Sequence, residues 1–164
     1  RKHEARQFLP VKPKPGDQHT VPEKLIERLA RFHFTDTVRA FADVYPQRSV
    51  EQAKLTTTVV DVTGKIVSVR FDGRVRTSQD DARSFGRLRR KPERGYDAKL
   101  LGYAKFDLAK QRFVSFDLVA FGTNRGGGIR ANFEDPVKMG VMLQLAKTGP
   151  VYRVEPNHFS KYDW

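Results

Sequence analysis

The chain has 164 residues, 38% hydrophobic and 30% charged, with 31 Lys and Arg against 19 Asp and Glu, a net charge of +12. That length bounds it to one domain with room for a real core, and 12 Phe and 5 Tyr argue against an unfolded chain. The lack of cysteine excludes disulfides, thiolate metal sites and cysteine nucleophiles, and no apolar run approaches the ~20 residues a membrane helix needs.

A field of this sign attracts nucleic acid, anionic headgroups, acidic polysaccharide or acidic protein, and it serves solubility equally well. The chain opens on Arg1 rather than Met, which fits a removed leader or an excised piece.

Residues 1–19 read as a basic, extended arm or linker. Pro10, Pro13 and Pro15 oppose a helix and favour a polyproline-like path. A single β-rich domain is expected over 20–155, followed by an aromatic tail over 156–164. Thr20-Val21-Pro22-Glu23 signals a helix start, with proline in the first turn and an acid at the positive helix end. Leu25, Ile26, Leu29 and Phe32 form its apolar stripe, and it should stop near Phe34. Residues 35–49 read either as a second short helix or as an irregular connection ending at Pro46.

From residue 52 the period becomes two. Leu55, Thr57 and Val59 alternate with Thr56, Thr58 and Val60 in a β-branched run. After a turn at Thr63-Gly64, Val67, Val69, Phe71, Gly73 and Val75 lie on one face and Ser68, Arg70, Asp72, Arg74 and Arg76 on the other. Residues 78–95 read as a polar loop, with six basic residues and one acid between Arg83 and Arg94. Tyr96, Ala98, Leu100, Gly102, Ala104 and Phe106 share one side of the next strand. A hairpin connection at Leu108–Gln111 leads to a strand with Val114, Phe116, Leu118 and Ala120 on one face. Phe113, Val119 and Phe121 share its other face with Ser115 and Asp117, which predicts a strand covered on both sides. Met139, Val141, Leu143 and Leu145 alternate again, Gly149-Pro150 breaks the pattern, and residues 151–154 read as a last short strand. One helix precedes at least five strands with no crossover helix between them. The expected class is therefore α+β, mainly antiparallel: a curved sheet or partial barrel with one N-terminal helix.

The hairpin from Tyr103 to Gly122 resembles one in uncharacterised bacterial secreted proteins. There a strand ending in G-x-x-x-[YF]-D precedes a strand of the type F-x-x-F-D-L-V-A-x-G; here these are Gly102–Asp107 and Phe113–Gly122. Residues 21–34 resemble the helix upstream in such chains, and the similarity covers most of residues 21–146. The resemblance implies a β-rich, extracytoplasmic domain, periplasmic or secreted, and brings no catalytic residue with it.

Two stretches can hold an anion. The run from Gly122 to Arg130 contains Gly126 and Gly127 between Arg125 and Arg130 and can form a backbone nest, or simply turn the chain. It is neither a Walker loop nor a dinucleotide fingerprint. The loop around Arg87, Arg89, Arg90 and Lys91 offers guanidinium forks suited to phosphate or carboxylate. It lacks the aromatic platforms or recognition helix of nucleic-acid binders, so nucleic acid is the less favoured partner. His3, His19, His33 and His158 lack metal-ligand spacing, and no metal or cofactor is expected. A buried Asp117 would need a partner, and in an apolar barrel it could act as acid or base. Phe159, Tyr162 and Trp164 suit either a partner contact or the cover of a sheet edge. The leading expectation is a non-enzymatic binding or protein-interaction domain for an anionic ligand or protein partner. The alternatives are a polyanion-binding module built on 83–94 and a small enzyme built on Asp117.

Overall fold

The computed structural model describes residues 2–35, 44–80, 93–125 and 136–146. The elements are α1 (Lys2–Arg6), β1 (Gln18–Thr20), α2 (Glu23–His33), a 3-10 turn at Gln47–Ser49, β2 (Val50–Thr63), β3 (Ile66–Asp80), β4 (Glu93–Asp107), β5 (Arg112–Arg125) and β6 (Val137–Gln144). The strands form one antiparallel sheet in the order β1-β2-β3-β4-β5-β6, with β1 and β6 at its edges. The expected class, an α+β and mainly antiparallel fold, is the one observed, with two helices rather than one.

Local chemistry places the turns. Thr63 pairs with Ile66, and Gly64 takes the positive φ of 59° that their two-residue connection needs. At the β4–β5 turn the Asp107 carboxylate accepts from the amides of Ala109 (2.8 Å) and Lys110 (3.0 Å). These bonds, the Lys110 amide first, hold that carboxyl below its ordinary range. The polar loop is shorter than expected, because the β3–β4 ladder continues to the pair Asp80–Glu93.

One face of the sheet is the core. Leu55, Val59, Val67, Val69, Phe71, Val75, Leu118 and Ala120 point inward and are buried. Leu25, Ile26 and Ala30 of α2 cover them, together with Leu9, Val21 and Phe34. The stripe at helical spacing in α2 thus meets the alternating stripe of the strands, and both are removed from water.

The N-terminal segment departs from its expected role. Lys2–Arg6 is helical, and the prolines act only after it. Leu9 is buried, and the Phe8 ring meets Phe71, Phe113 and Phe116 at 6.0, 5.7 and 6.2 Å, all edge-on. The Arg28 guanidinium bonds Glu4 at 2.9 Å and ties α1 to α2, which holds the Glu4 carboxyl down to about 2.

Strand β5 also departs from expectation. A register shift between Lys105 and Phe106 pairs Phe106 with Phe113 and leaves Val114 at the irregularity. The parity of β5 therefore changes there: Phe113 joins the core, and Val114 is 42% exposed. Nor is β5 covered on both sides, since Val119 and Phe121 face outward and are exposed. Residues 36–43, the strand expected at 151–154 and the tail 156–164 lie outside the described residues.

Candidate binding surface

Continuous register fixes the outer face of the sheet as rows running across the strands. Arg70, Tyr103, Asp117 and Gln144 make one row; Asp72, Leu101, Val119 and Met142 the next; Arg74, Lys99, Phe121 and Gly140 the third. The β3 side of this face is ionic. Arg70 bonds Asp72 at 2.7 Å, Arg74 bonds Asp97 through two nitrogens at 3.0 and 2.9 Å, and Arg76 bonds Glu51 at 3.1 Å. The Arg74 guanidinium holds the Asp97 carboxyl below its usual range. Such exposed pairs contribute little to stability; their effect here is to neutralise arginines and give the face a fixed pattern.

Toward β4, β5 and β6 the face turns apolar. Leu101, Tyr103, Val119, Phe121 and Met142 stand in neighbouring rows and are between 38% and 58% exposed. Single exposed hydrophobics need no explanation, but five adjoining ones form a patch of the kind that marks an interaction site. Lys99 and Lys105 are exposed beside it, and Lys138 donates to the Thr123 hydroxyl at 3.1 Å. The patch was legible in part. Lys99, Leu101, Tyr103 and Lys105 mix apolar and cationic residues on the parity opposite the core, a pattern the expectation of a doubly covered β5 concealed.

The second candidate region is one end of the sheet. Asp80 pairs with Glu93, and Gly95 pairs with Arg125. The connections that carry the basic stretch and the glycine run therefore leave adjacent strands at the same end. Between their roots lies a cavity of about 20 Å³ lined by Arg76, Thr77, Ser78, Gly95, Tyr96, Asp97 and Arg125. It has room for about one water, far below the size of a ligand pocket.

Of the residues expected to bind an anion, Arg125 is described: it ends β5 and is exposed. Arg87, Arg89, Arg90, Lys91, Gly126, Gly127 and Arg130 lie outside the described residues. Arg94, counted with the basic loop, is buried. It donates to the Gln79 side chain (2.6 and 3.0 Å) and to the Val44 carbonyl (3.3 Å) and lies 4.6 Å from the Tyr45 ring centroid. Asp117 sits on the outer face and accepts from Gln144 Nε2 at 2.8 Å, so the alternative of an acid–base role, which required its burial, loses its premise of an apolar enclosure. His33, at the end of α2, is pushed below the usual histidine range, first by burial and then by Arg28. Among the described residues no group of His, Asp and Glu is placed to hold a metal ion, and no helix is long and apolar enough to cross a membrane.

Beneath this end lies Tyr96, whose hydroxyl reaches the Ala120 carbonyl at 3.0 Å and the Met139 carbonyl at 2.9 Å, spanning β4 to β6. Burial pushes its pKa from 10.0 up to about 12. A raised pKa means that the folded state favours the neutral phenol. Its contribution is whole below about pH 10 and is lost as pH rises through about 12. We expect Tyr96→Phe to cost about 1 kcal/mol at neutral pH and to reduce the alkaline fall in stability. Denaturant midpoints measured across that pH window check both, and an unchanged alkaline slope would assign the fall to other groups.

Compared with family models, curated proteins and solved structures, the chain matches none.

Proposed function

We propose that this chain is a non-catalytic binding domain that meets a protein partner through the outer face of β4, β5 and β6. The observation that supports this reading is the exposed cluster of Leu101, Tyr103, Val119, Phe121 and Met142. Three of the five are aliphatic, which suits contact with another protein better than base stacking, where aromatic platforms carry the energy. On the same face Asp72 and Asp97 take up Arg70 and Arg74, which lessens the attraction for a phosphate backbone, while Lys99, Lys105 and Lys138 form a cationic rim for acidic groups of a protein. The likeness to secreted β-rich proteins suggests an extracytoplasmic setting.

A photo-crosslinking side chain at position 121, read in the source cell, tests this. The expected result is one discrete adduct with a protein other than a second copy of this chain, which disappears when Leu101 and Met142 are both changed to Ser. The same label at Thr58, on the polar side of the face, should give none. Equal labelling at the two positions, or an adduct unaffected by the serines, would refute it.

A second reading, binding of a polyanion at the loop end, is favoured by the shared roots of the two arginine-bearing connections and by Arg76 and Arg125 between them. It predicts heparin retention that falls steeply with salt and that weakens when Arg87, Arg89 and Arg90 become Gln. The serine variants would leave that retention intact, which separates the two readings.

A further inference from the structure

We propose that two copies of this chain pair through β6, edge to edge and antiparallel, about a two-fold axis at Val141 perpendicular to the sheet. Two six-stranded sheets then become one. The inference rests on the edge strand and does not depend on what the outer face binds.

The two edges of the sheet are unlike. At one, β1 is three residues long, and the backbone of Gly16, Asp17 and Val21 bonds β2 on either side of it. At the other, β6 is eight residues long, and among the described residues no strand lies beyond it. Its register with β5 runs from Asp117 to Asn124 without a shift. It contains no proline, and Lys138 is its one charged residue. Within Val137–Gln144 the strand's own devices for blunting an edge are thus missing: short length, proline, a bulge or repeated charge.

The direction of its free groups follows from one bond. The Leu145 amide donates to the Phe116 carbonyl, so the odd-numbered backbone groups of this stretch turn toward β5. By the alternation of an antiparallel ladder, the amides and carbonyls of Lys138, Gly140, Met142 and Gln144 point away from β5, to the side where no described strand lies. With the axis at Val141, that residue faces its own copy, Met142 faces Gly140, Leu143 faces Met139, and Gln144 faces Lys138. The even-numbered pairs then exchange about eight backbone bonds across the seam.

The side chains fit this register. Gly140 leaves the outer face bare, and a Cβ built on it would meet only the Phe121 ring, at 3.6 Å. Met142, 55% exposed, supplies from the second copy the side chain that covers that space. On the inner face Leu143 meets Met139, both partly buried against the core. Lys138 faces a neutral glutamine, so a chain of net charge +12 brings no pair of cations face to face within the seam. An axis at Gly140 would instead set glycine against glycine and Lys138 against Met142, leaving a gap. This self-complementarity is what identifies a second copy, rather than a foreign strand, as the occupant.

The lack of cysteine makes the test direct. Val141→Cys places one thiol at a non-hydrogen-bonded pair, with Cα atoms about 4.5 Å apart, inside disulfide range. We expect the unmodified chain to sediment at twice its own mass. We expect Val141→Cys to oxidise to a disulfide dimer roughly tenfold faster than Val60→Cys, an exposed thiol on β2 whose encounters are random. Gly140→Lys, which the monomer has room for, should keep its circular dichroism and weaken the dimer about tenfold or more, near 1.4 kcal/mol. A monomer at every concentration reached, equal oxidation of the two thiols, or a dimer insensitive to Gly140→Lys would each overturn the proposal.

Discussion

Gly122→Ala is expected to lower stability by roughly 3 kcal/mol or more, at the top of the usual range for overpacking. A Cβ built at Gly122 would overlap the Asp97 carbonyl oxygen and lie 2.5 Å from the Ala98 Cα. Both are backbone atoms of β4, so no rotamer change relieves the overlap. The strands must separate where Ala98 pairs with Gly122 and Asp97 with Thr123, one pair from the row in which Tyr96 braces β4, β5 and β6. Strands approach this closely at glycines, where a sheet can bend tightly. Gly140→Ala is the control for the fold of one chain: its Cβ meets ordinary contact only, so its cost to the folded monomer should be near zero. Denaturant titration of both variants decides the matter, and a Gly122→Ala loss below about 1 kcal/mol would mean that the strands yield easily.

The second large effect is expected at Phe71. Its side chain is fully buried, with ring centroids 5.5 Å from Phe116 and 6.0 Å from Phe8. Truncation to alanine removes the link between the N-terminal segment, β3 and β5 and leaves a cavity that rigid strands cannot close. The cost should be about 3–5 kcal/mol. Phe121→Ala makes the same chemical change on the outer face, where the ring is 58% exposed, and should cost within about 0.5 kcal/mol. The pair measures how differently the two faces of one sheet are used. A comparable loss at both positions would indicate that the outer face is covered in solution.

Much of the architecture could be read from periodicity. The α2 stripe and the alternation in β3 and β4 each place large side chains in the core, and the lack of crossover helices forces antiparallel neighbours. What escaped were features that periodicity cannot encode. The register shift at Lys105 and Phe106 reverses the faces of Phe113 and Val114, and nothing in the order of residues marks it. Lys2–Arg6 is too short a helix to carry a readable stripe, and its tie to the fold through Glu4 and Arg28 joins residues far apart in sequence. The apolar patch escaped for a different reason: hydrophobic residues on both faces of β5 signal two-sided burial, and only the absence of a second layer over the described outer face shows otherwise. The arginines that drew attention in sequence divide in structure. Arg70, Arg74 and Arg76 are paired on the outer face, and Arg94 is enclosed.

The Phe8 clasp changes what the proline-rich segment is. Leu9 and Val21 are both core residues, so the stretch between them is a strap anchored at each end rather than a spacer. The strap adds β1 to the sheet before it reaches Val21, and its cost is the freedom it loses on docking. Pro10, Pro13 and Pro15 restrict the unfolded chain in advance, so less freedom remains to be lost. Residues that look like the hallmark of a detachable arm thereby make attachment easier, and Leu9 already belongs to the core, well ahead of the change in composition near residue 20.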